Sequence, residues 1–232
     1  MNIIDKYAPT TLEDIVFVDE NNEYFIKMFV AGKHHIDNLL FHGPRGTQKT
    51  MTADIIAREI AGNDGLLIDE SLDEFLKRGT DINDYLHRTK LIFADCNSPH
   101  QRCVLVVHEI DKHQKLEKLW TVMDENKDSL MLIATTNELM KINESLRSRC
   151  MMCNFEIVNH TQFLPRAKHI LASEGLTTND ADILACLKSF CPDVYSIRSQ
   201  MRVLQEMITM HHDGLLQTAI VNARRAQMKI KK

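Results

Sequence analysis

The residues of this chain best suited to chemistry lie in one short stretch, 39–50, which reads Leu-Leu-Phe-His-Gly-Pro-Arg-Gly-Thr-Gln-Lys-Thr. A glycine-rich loop between a strand and a helix turns successive backbone N–H groups toward one point at the positive end of the helix, and so holds polyphosphate. Lys49 would reach the terminal phosphates, and the Thr50 hydroxyl would ligate Mg²⁺. The residues predicted to form this loop are Gly43, Pro44, Arg45, Gly46, Thr47, Gln48, Lys49 and Thr50.

The loop departs from the usual pattern at one position. The pattern is G-x-x-x-x-G-K-[ST], and Gln48 stands where the second glycine is expected. A side chain at a position that favours positive φ costs on the order of 1 kcal/mol and crowds the ligand. We therefore expect weaker phosphate binding than usual. The same residues also fit an ordinary Gly/Pro turn, and the loop alone leaves that alternative open.

A second group of polar residues follows the apolar run 104–107, which predicts a strand buried on both faces. In phosphate-loop enzymes the acids after this strand lie beside the γ-phosphate, where one orients Mg²⁺ and the next polarises the attacking water. Glu109 stands in the place of that base. His108 stands where the metal-orienting acid is expected, and a neutral imidazole is a poor partner for a hard cation. Asp111 is a candidate substitute, and a solvated strand end is the alternative for all three.

Strands and helices are predicted to alternate along the first two thirds of the chain. The predicted strands are 39–41, 65–69, 104–107, 130–136 and 151–158, and the helical segments between and before them include 21–31, 51–59, 72–96 and 116–123. This alternation predicts a parallel sheet covered by helices on both faces, with sites at the carboxyl ends of the strands. Asn137 follows one of these strands, where its amide is suited to position a water near a γ-phosphate.

Three apolar stripes at helical spacing follow within 163–207 and predict a small all-α domain. We therefore expect a nucleotide-binding α/β domain over residues 1–158, a helical lid over 159–212 and a short basic tail over 213–232. The tail holds five basic residues and no acid after residue 213. It fits a phosphate-binding segment, and it also fits a solvated terminus.

Composition limits the classes of function. The chain has 232 residues, 44% of them hydrophobic, with a net charge of −4 and a pI near 6.3, so any nucleic-acid contact is expected to be local. No apolar run approaches membrane-spanning length, and the N-terminus lacks the apolar core of a signal peptide. A soluble intracellular protein with no membrane partner is expected.

The order of these motifs resembles the AAA+ ATPases of the clamp-loader family, above all the small subunits of replication factor C and of bacteriophage clamp loaders. The resemblance rests on the phosphate loop, the strand ending in His-Glu-Ile-Asp, the strand ending at Asn137 and then Ser-Arg-Cys at 148–150. The opening Lys-Tyr-Ala-Pro at 6–9 is similar to the family's Lys-Tyr-Arg-Pro, with Ala8 in place of the arginine. Residues 191–198 resemble the region of the family's second sensor arginine.

The resemblance implies ATP and Mg²⁺ as cofactors and assigns roles to individual residues. The implied catalytic residues are Glu109 as base, Asn137 as first sensor, Arg149 as an arginine finger that reaches a neighbouring subunit, and Arg198 as second sensor. Tyr7 would lie over the adenine, and Asp111 would stand near the nucleotide. Spacing alone leaves Arg149 equally compatible with a surface cation that pairs with an acid such as Glu144.

The implied function is that of an ATP-dependent DNA-replication motor, in which subunits assemble around primer–template DNA and open a sliding clamp. The lysines expected to face DNA are Lys90, Lys112, Lys115 and Lys118. Hydrolysis is expected to be slow or dependent on assembly because of Gln48 and His108. Clamp-loading relatives continue into a helical collar of about a hundred residues, the size of a separate domain, and no such collar is expected within this sequence.

Two other functions stay open at this point. One is a different AAA+ loader, such as a helicase loader, and the other is a nucleotide-bound structural subunit that does not hydrolyse ATP. The expected location is the cytoplasm of a bacterial or phage-infected cell, or the nucleus of a eukaryote.

Overall fold

The computed structural model describes residues 2–33, 38–62, 67–68, 71–78, 81–92, 103–113, 116–193 and 196–230. Its strands β1 to β5 are Leu39–His42, Leu67–Ile68, Cys103–Val107, Leu130–Thr136 and Met151–Asn154. Its helices α1 to α11 are Ile3–Lys6, Glu20–Val30, Lys49–Ala61, Leu72–Lys77, Asp81–Ile92, Glu117–Glu125, Glu144–Arg147, His160–Ser173, Asp180–Phe190, Ile197–His212 and Leu216–Ile230. None of the helices formed by these residues is both long enough and apolar enough to cross a membrane.

The strands form one parallel sheet in the order β2-β3-β4-β1-β5, as the alternating pattern predicted. All seven residues of the central strand β4 are buried, so helices cover both faces of the sheet. The predicted strand 151–158 is shorter than expected and ends at Asn154. Among the described strands β5 pairs only with β1, which ends at His42, where the chain turns into the glycine-rich loop, so the ladder ends there as well. Of the predicted strand 65–69, residues 67 and 68 form β2, and the other residues lie outside the described part of the chain.

The chain divides into two compact units. The sheet unit comprises Asp19–Pro44 and Gln48–Phe155, and the helical unit comprises Met1–Val18, Arg45–Thr47 and Glu156–Lys232. In the sheet unit, apolar side chains from β1, β3 and β4 pack with side chains from α4 to α7. The largest of them include Leu40, Leu105 and Leu132 with Phe75 and Leu119.

The helical unit contains the three helices α8, α9 and α10 that the apolar stripes predicted, together with the start of the chain. Residues 1–18, which the sequence assigned to the nucleotide-binding domain, belong to the helical unit instead. Ile3 is buried in the core of this unit, and Asp14 forms an ion pair with Arg166 of α8 at 2.5 Å. These contacts fasten the first segment to the helices.

In the predicted basic tail after residue 212, residues Leu216–Ile230 form a helix, α11, that is partly buried and not a fully solvated terminus. Its residues Leu216, Ile220 and Ala223 are spaced along one helical face and are buried in the same core as α8 to α10. Arg224 forms an ion pair with Asp182 of α9. Burial of an apolar stripe therefore decides the structure of this segment, and one of its basic residues is used in packing.

Candidate active site

The loop between β1 and α3 is shaped by Gly43. Its φ is +141°, and a Cβ at this position would lie 2.0 Å from the carbonyl oxygen of Phe155, so only glycine fits. Lys49, the first residue of α3, is buried and folds back over the loop. Its Nζ donates to the carbonyl oxygens of Gly43 at 2.9 Å and Pro44 at 2.6 Å. The ammonium group therefore lies inside the concavity where phosphate is expected.

Burial lowers the pKa of Lys49 to about 8, and the nearby carboxylates of Asp111 and Glu109 oppose that shift. The predicted site residues Lys49, Asp111 and Glu109 are thus close enough for their charges to interact. Because an added phosphate would bring negative charge to Lys49, binding of a nucleotide is expected to raise this pKa.

Gln48 adopts the left-handed conformation that this loop position usually reserves for glycine, with φ 70° and ψ 7°. Its carbonyl oxygen accepts hydrogen bonds from the backbone N–H of Thr52 at 2.9 Å and from the Thr52 hydroxyl at 3.0 Å. The first turn of α3 is therefore held in place through the backbone of Gln48. Thr50, the predicted Mg²⁺ ligand, is exposed on this turn.

Within the helical unit, the loop residue Gly46 lies against the start of α10. Its carbonyl oxygen accepts from the N–H of Ile197 at 3.2 Å, and a Cβ on Gly46 would come within 2.3 Å of the Ser196 Cβ. Arg198 is exposed on the first turn of α10, one residue beyond this contact. The predicted second sensor thus lies beside a loop residue. Of the remaining loop residues, Thr47 is buried and Arg45 is exposed.

Glu109, the predicted base, follows β3 in a left-handed conformation with φ 48°. Its N–H donates to Oγ1 of Thr135 at 3.1 Å, and its Oε1 lies 3.4 Å from Nδ2 of Asn137. Its other carboxylate oxygen forms an ion pair with Lys112. The predicted base and the predicted first sensor are therefore neighbours at the carboxyl edge of the sheet.

Asp111 joins the turn after β3 to the end of β4. Its Oδ1 accepts from the Thr136 hydroxyl at 2.6 Å and from the backbone N–H of Asn137 at 3.3 Å. Burial by itself raises the pKa of Asp111, but the hydrogen bond from Thr136 and backbone hydrogen bonds lower it below its usual value. Through these hydrogen bonds Asp111 positions Asn137, so this acid supports the site structurally.

His108, in the place expected for a metal-orienting acid, faces α3. Its Nε2 lies 3.0 Å from Oδ1 of Asp54, and the two side chains are 38% and 33% exposed. Its Nδ1 is buried and has no hydrogen-bond partner among the described residues. Asp54 lies one helical turn after Thr50 on α3.

Arg149 pairs with an acid, as expected for the alternative in which it is a surface cation. The acid is Asp124 of α6 and not Glu144. Its Nε and Nη2 donate to the two carboxylate oxygens of Asp124 at 2.7 and 2.6 Å. Its Nη1 donates to the carbonyl oxygen of Ser145 at 2.5 Å. Hydrogen bonds from Arg149 lower the pKa of Asp124.

The backbone of Arg149 lies at the amino edge of the sheet. Its carbonyl oxygen accepts from Nδ2 of Asn38 at 3.1 Å, and Asn38 directly precedes β1, whereas the phosphate loop directly follows β1. At about 3.3 Å per residue, the four residues of β1 separate these two ends by about 13 Å. Arg149 and the phosphate loop of the same chain therefore occupy opposite edges of the sheet.

Tyr7 lies in the helical unit. Its ring packs against the helical core, and its hydroxyl donates to Oε1 of Glu174 at 2.6 Å, where Lys6 also donates at 2.6 Å. Its predicted contact with adenine stays a prediction.

The four lysines expected to face DNA differ in their surroundings. Lys118 is exposed on α6, and Lys112 is engaged with Glu109. Lys115 and the side chain of Lys90 lie outside the described residues.

Sequence reasoning missed several residues that hold the site together. Thr135 and Thr136 fasten Glu109 and Asp111, and their hydroxyls at the end of an apolar strand were a readable signal. Asp54 and Asp124 gave no such signal, because each meets its partner only through the fold. The site residues themselves, apart from Arg149, Arg198 and Tyr7, gather at the loop and the carboxyl ends of β3 and β4.

Comparison with known families agrees with this geometry. The model of the family described as "ATPase family associated with various cellular activities (AAA)" matches residues 39–157, just over half of the chain. The chain belongs to this family.

Curated relatives narrow the resemblance. Replication factor C subunit 4 of Encephalitozoon cuniculi is 28% identical over 216 residues, which cover 89% of this chain and 64% of that protein. The replication factor C small subunit of Methanosarcina acetivorans is 30% identical over 185 residues, covering 76% of this chain and 52% of that protein. The predicted resemblance to clamp-loader ATPases is confirmed. The chain spans about half to two thirds of the length of these relatives.

Solved structures confirm the predicted fold. A variant of RuvB from Thermotoga maritima superposes with a TM-score of 0.62 at 19% identity and covers 95% of this chain and 72% of its own. The replication initiator DnaA bound to AMPPCP and single-stranded DNA superposes with a TM-score of 0.62 at 17% identity, covering 90% and 67%.

Proposed function

We propose that the chain is an ATP-binding and ATP-hydrolysing subunit of a clamp loader, active in an oligomer on primer–template DNA. The observation that carries this proposal is the division of the predicted catalytic groups between two edges of the sheet. Lys49, Glu109 and Asn137 lie at the carboxyl edge, whereas Arg149 lies at the amino edge. One chain therefore holds most of an ATPase site and, separately, an arginine suited to another chain's site.

Each group at the carboxyl edge has a role that follows from its contacts. Lys49 exchanges its hydrogen bonds to the Gly43 and Pro44 carbonyls for hydrogen bonds to the terminal phosphates. Glu109 polarises the attacking water, and the Asn137 amide beside it orients that water. The oxygen donors near the loop fit Mg²⁺, for which Thr50 supplies the hydroxyl ligand and which neutralises charge on the phosphates.

Arg149 acts on a neighbouring subunit, because the length of β1 separates it from its own phosphate loop. Of the five N–H donors of a guanidinium, three bind Asp124 and Ser145, which leaves two for a phosphate oxygen. An arginine supplied in this way raises turnover by about 10³–10⁵ in other phosphoryl-transfer enzymes. Catalysis therefore requires an oligomer.

The proposed partners are other clamp-loader subunits, a sliding clamp and primer–template DNA. Their support is the similarity to replication factor C subunits over most of this chain. Of the lysines expected to face DNA, Lys118 is exposed, whereas Lys112 would give up its ion pair with Glu109 to contact a phosphate.

A second candidate function is a nucleotide-bound structural subunit that lends Arg149 to a competent neighbour. It is favoured by the left-handed Gln48 and by the imidazole of His108 in the place of an acid. In that case ATP binds and is not turned over.

Binding and hydrolysis measured separately test the proposal. Lys49→Ala is expected to abolish ATP binding, whereas Glu109→Gln is expected to keep ATP binding and lose hydrolysis. Normal ATP affinity in Lys49→Ala would contradict the nucleotide site. Binding without turnover in the wild type, with its partner subunits and primed DNA present, would favour the structural subunit.

A further inference from the structure

Asp54 and His108 form a pair beside the predicted nucleotide site that the known roles of the motifs leave unexplained. Asp54 lies four residues after Thr50 on α3, and side chains at this spacing are neighbours, with Cβ atoms about 5–6 Å apart. His108 Nε2 lies 3.0 Å from Asp54 Oδ1. The carboxylate of Asp54 therefore lies beside His108, the position at which the sequence pattern expects an acid. Asp54 belongs to helix α3, whereas the expected acid would follow strand β3.

The hydrogen bond has one direction. An ionised carboxylate only accepts, so Nε2 of His108 carries the hydrogen and donates it to Oδ1 of Asp54. This donation fixes the orientation of the carboxylate, and Oδ2 has no hydrogen bond among the described residues. The imidazole thus has Nε2 committed to Asp54, and its Nδ1 is buried.

We infer that Asp54 supplies the carboxylate that holds the water shell of the nucleotide-bound divalent cation, with His108 as the residue that orients it. This inference rests on the nucleotide binding proposed above. Mg²⁺ bound with a nucleotide keeps several waters and uses one or two protein oxygens in addition to phosphates. Thr50 and Asp54 on the same helical face provide such oxygens, whereas the imidazole does not.

The test measures cation affinity in the wild-type chain and in variants, with Mn²⁺ as a paramagnetic substitute and a non-hydrolysable ATP analogue. Asp54→Asn is expected to weaken Mn²⁺ binding by about tenfold or more, the usual effect of losing a group that supports a metal's ligands. Its affinity for the nucleotide without cation and its melting temperature are expected to stay unchanged. Glu59→Gln, which removes an exposed acid from the same helix, is the matched control and is expected to leave Mn²⁺ affinity unchanged.

Two further measurements separate the roles of the pair. The double variant Asp54→Asn/His108→Asp, which returns an acid to the strand end, is expected to recover most of the lost Mn²⁺ affinity. Pulsed electron paramagnetic resonance of the wild-type Mn²⁺–nucleotide complex is expected to detect no coupling to a histidine nitrogen, since His108 does not ligate the metal.

Unchanged Mn²⁺ affinity in Asp54→Asn would overturn the inference, and so would a histidine nitrogen coupling in the wild type. The second measurement needs no variant, so it can refute the inference even if Asp54→Asn does not fold. Failure of the proposed function gives a different result, because a wild-type chain that binds no nucleotide would contradict that function directly.

Discussion

Replacement of Gln48 by glycine is expected to stabilise the protein, because Gln48 adopts a backbone conformation that is unfavourable for residues with a Cβ. With φ 70° and ψ 7° it lies in the left-handed region, which costs a residue with a Cβ about 1–2 kcal/mol. Glycine removes that cost but loses more freedom on folding, which offsets about 0.5–1 kcal/mol. The net gain in the free energy of unfolding is therefore about 0–1.5 kcal/mol.

The matched control is Gln48→Ala, which removes the same polar side chain but keeps the Cβ and the strain. Both variants keep the backbone carbonyl that accepts from Thr52, so neither loses this hydrogen bond. For a chain of this size, 1 kcal/mol shifts the melting temperature by about 2–4 °C. Thermal unfolding is expected to place Gln48→Gly about 0–6 °C above the wild type, and Gln48→Ala at or below it.

Nucleotide affinity gives a second measure of the same substitution. Gln48→Gly also removes a side chain from the loop that would surround the phosphates, so it is expected to bind ATP more tightly than the wild type. A glycine variant no more stable than the alanine variant would refute the assignment of strain to Gln48. Unchanged ATP affinity would refute the idea that its side chain crowds the nucleotide.

Four other perturbations test different parts of the molecule. Burial lowers the pKa of Lys49 to about 8, and a bound phosphate is expected to raise it, so ATP binding at pH 8 is expected to take up about half a proton. The affinity for ATP is expected to fall above that pH. Calorimetry in buffers of different ionisation enthalpy measures the proton uptake, and a result of no uptake would contradict the prediction. A mixture of the Arg149→Ala and Glu109→Gln variants is expected to recover some hydrolysis through hybrid interfaces, and a demonstrated mixed oligomer with no recovery would count against action between subunits. Asp124→Asn is expected to slow hydrolysis in the assembly without weakening ATP binding. Ile220→Ala is expected to lower the free energy of unfolding by about 2–5 kcal/mol because α11 buries this side chain, whereas a solvated tail would leave urea unfolding unchanged.

The sequence predicted the sheet well because its strands are short apolar runs bounded by turn residues. The run 130–136 became β4 with the same bounds, and the loop at Gly43 lies between strand and helix as expected. The helical stripes of α8 to α10 were equally readable, since an apolar face at helical spacing has few other uses.

The remainder was not readable for specific physical reasons. Leu216, Ile220 and Ala223 are spaced as a helical stripe, but the basic residues around them fitted a phosphate-binding segment or a solvated terminus. The Asp54–His108 and Asp124–Arg149 contacts join residues 54 and 25 positions apart, and local patterns carry no information on such pairs. The first 18 residues contain apolar side chains, but their local pattern does not indicate which of the two cores they join.

Steady-state ATP hydrolysis per chain, measured over a range of protein concentrations with and without primed DNA, tests the central claim most directly. If Arg149 completes the site of a neighbouring subunit, turnover per chain rises steeply with concentration and rises further with primed DNA. Turnover per chain that is measurable and independent of concentration would mean that a single chain holds a complete site, which would contradict the role given to Arg149.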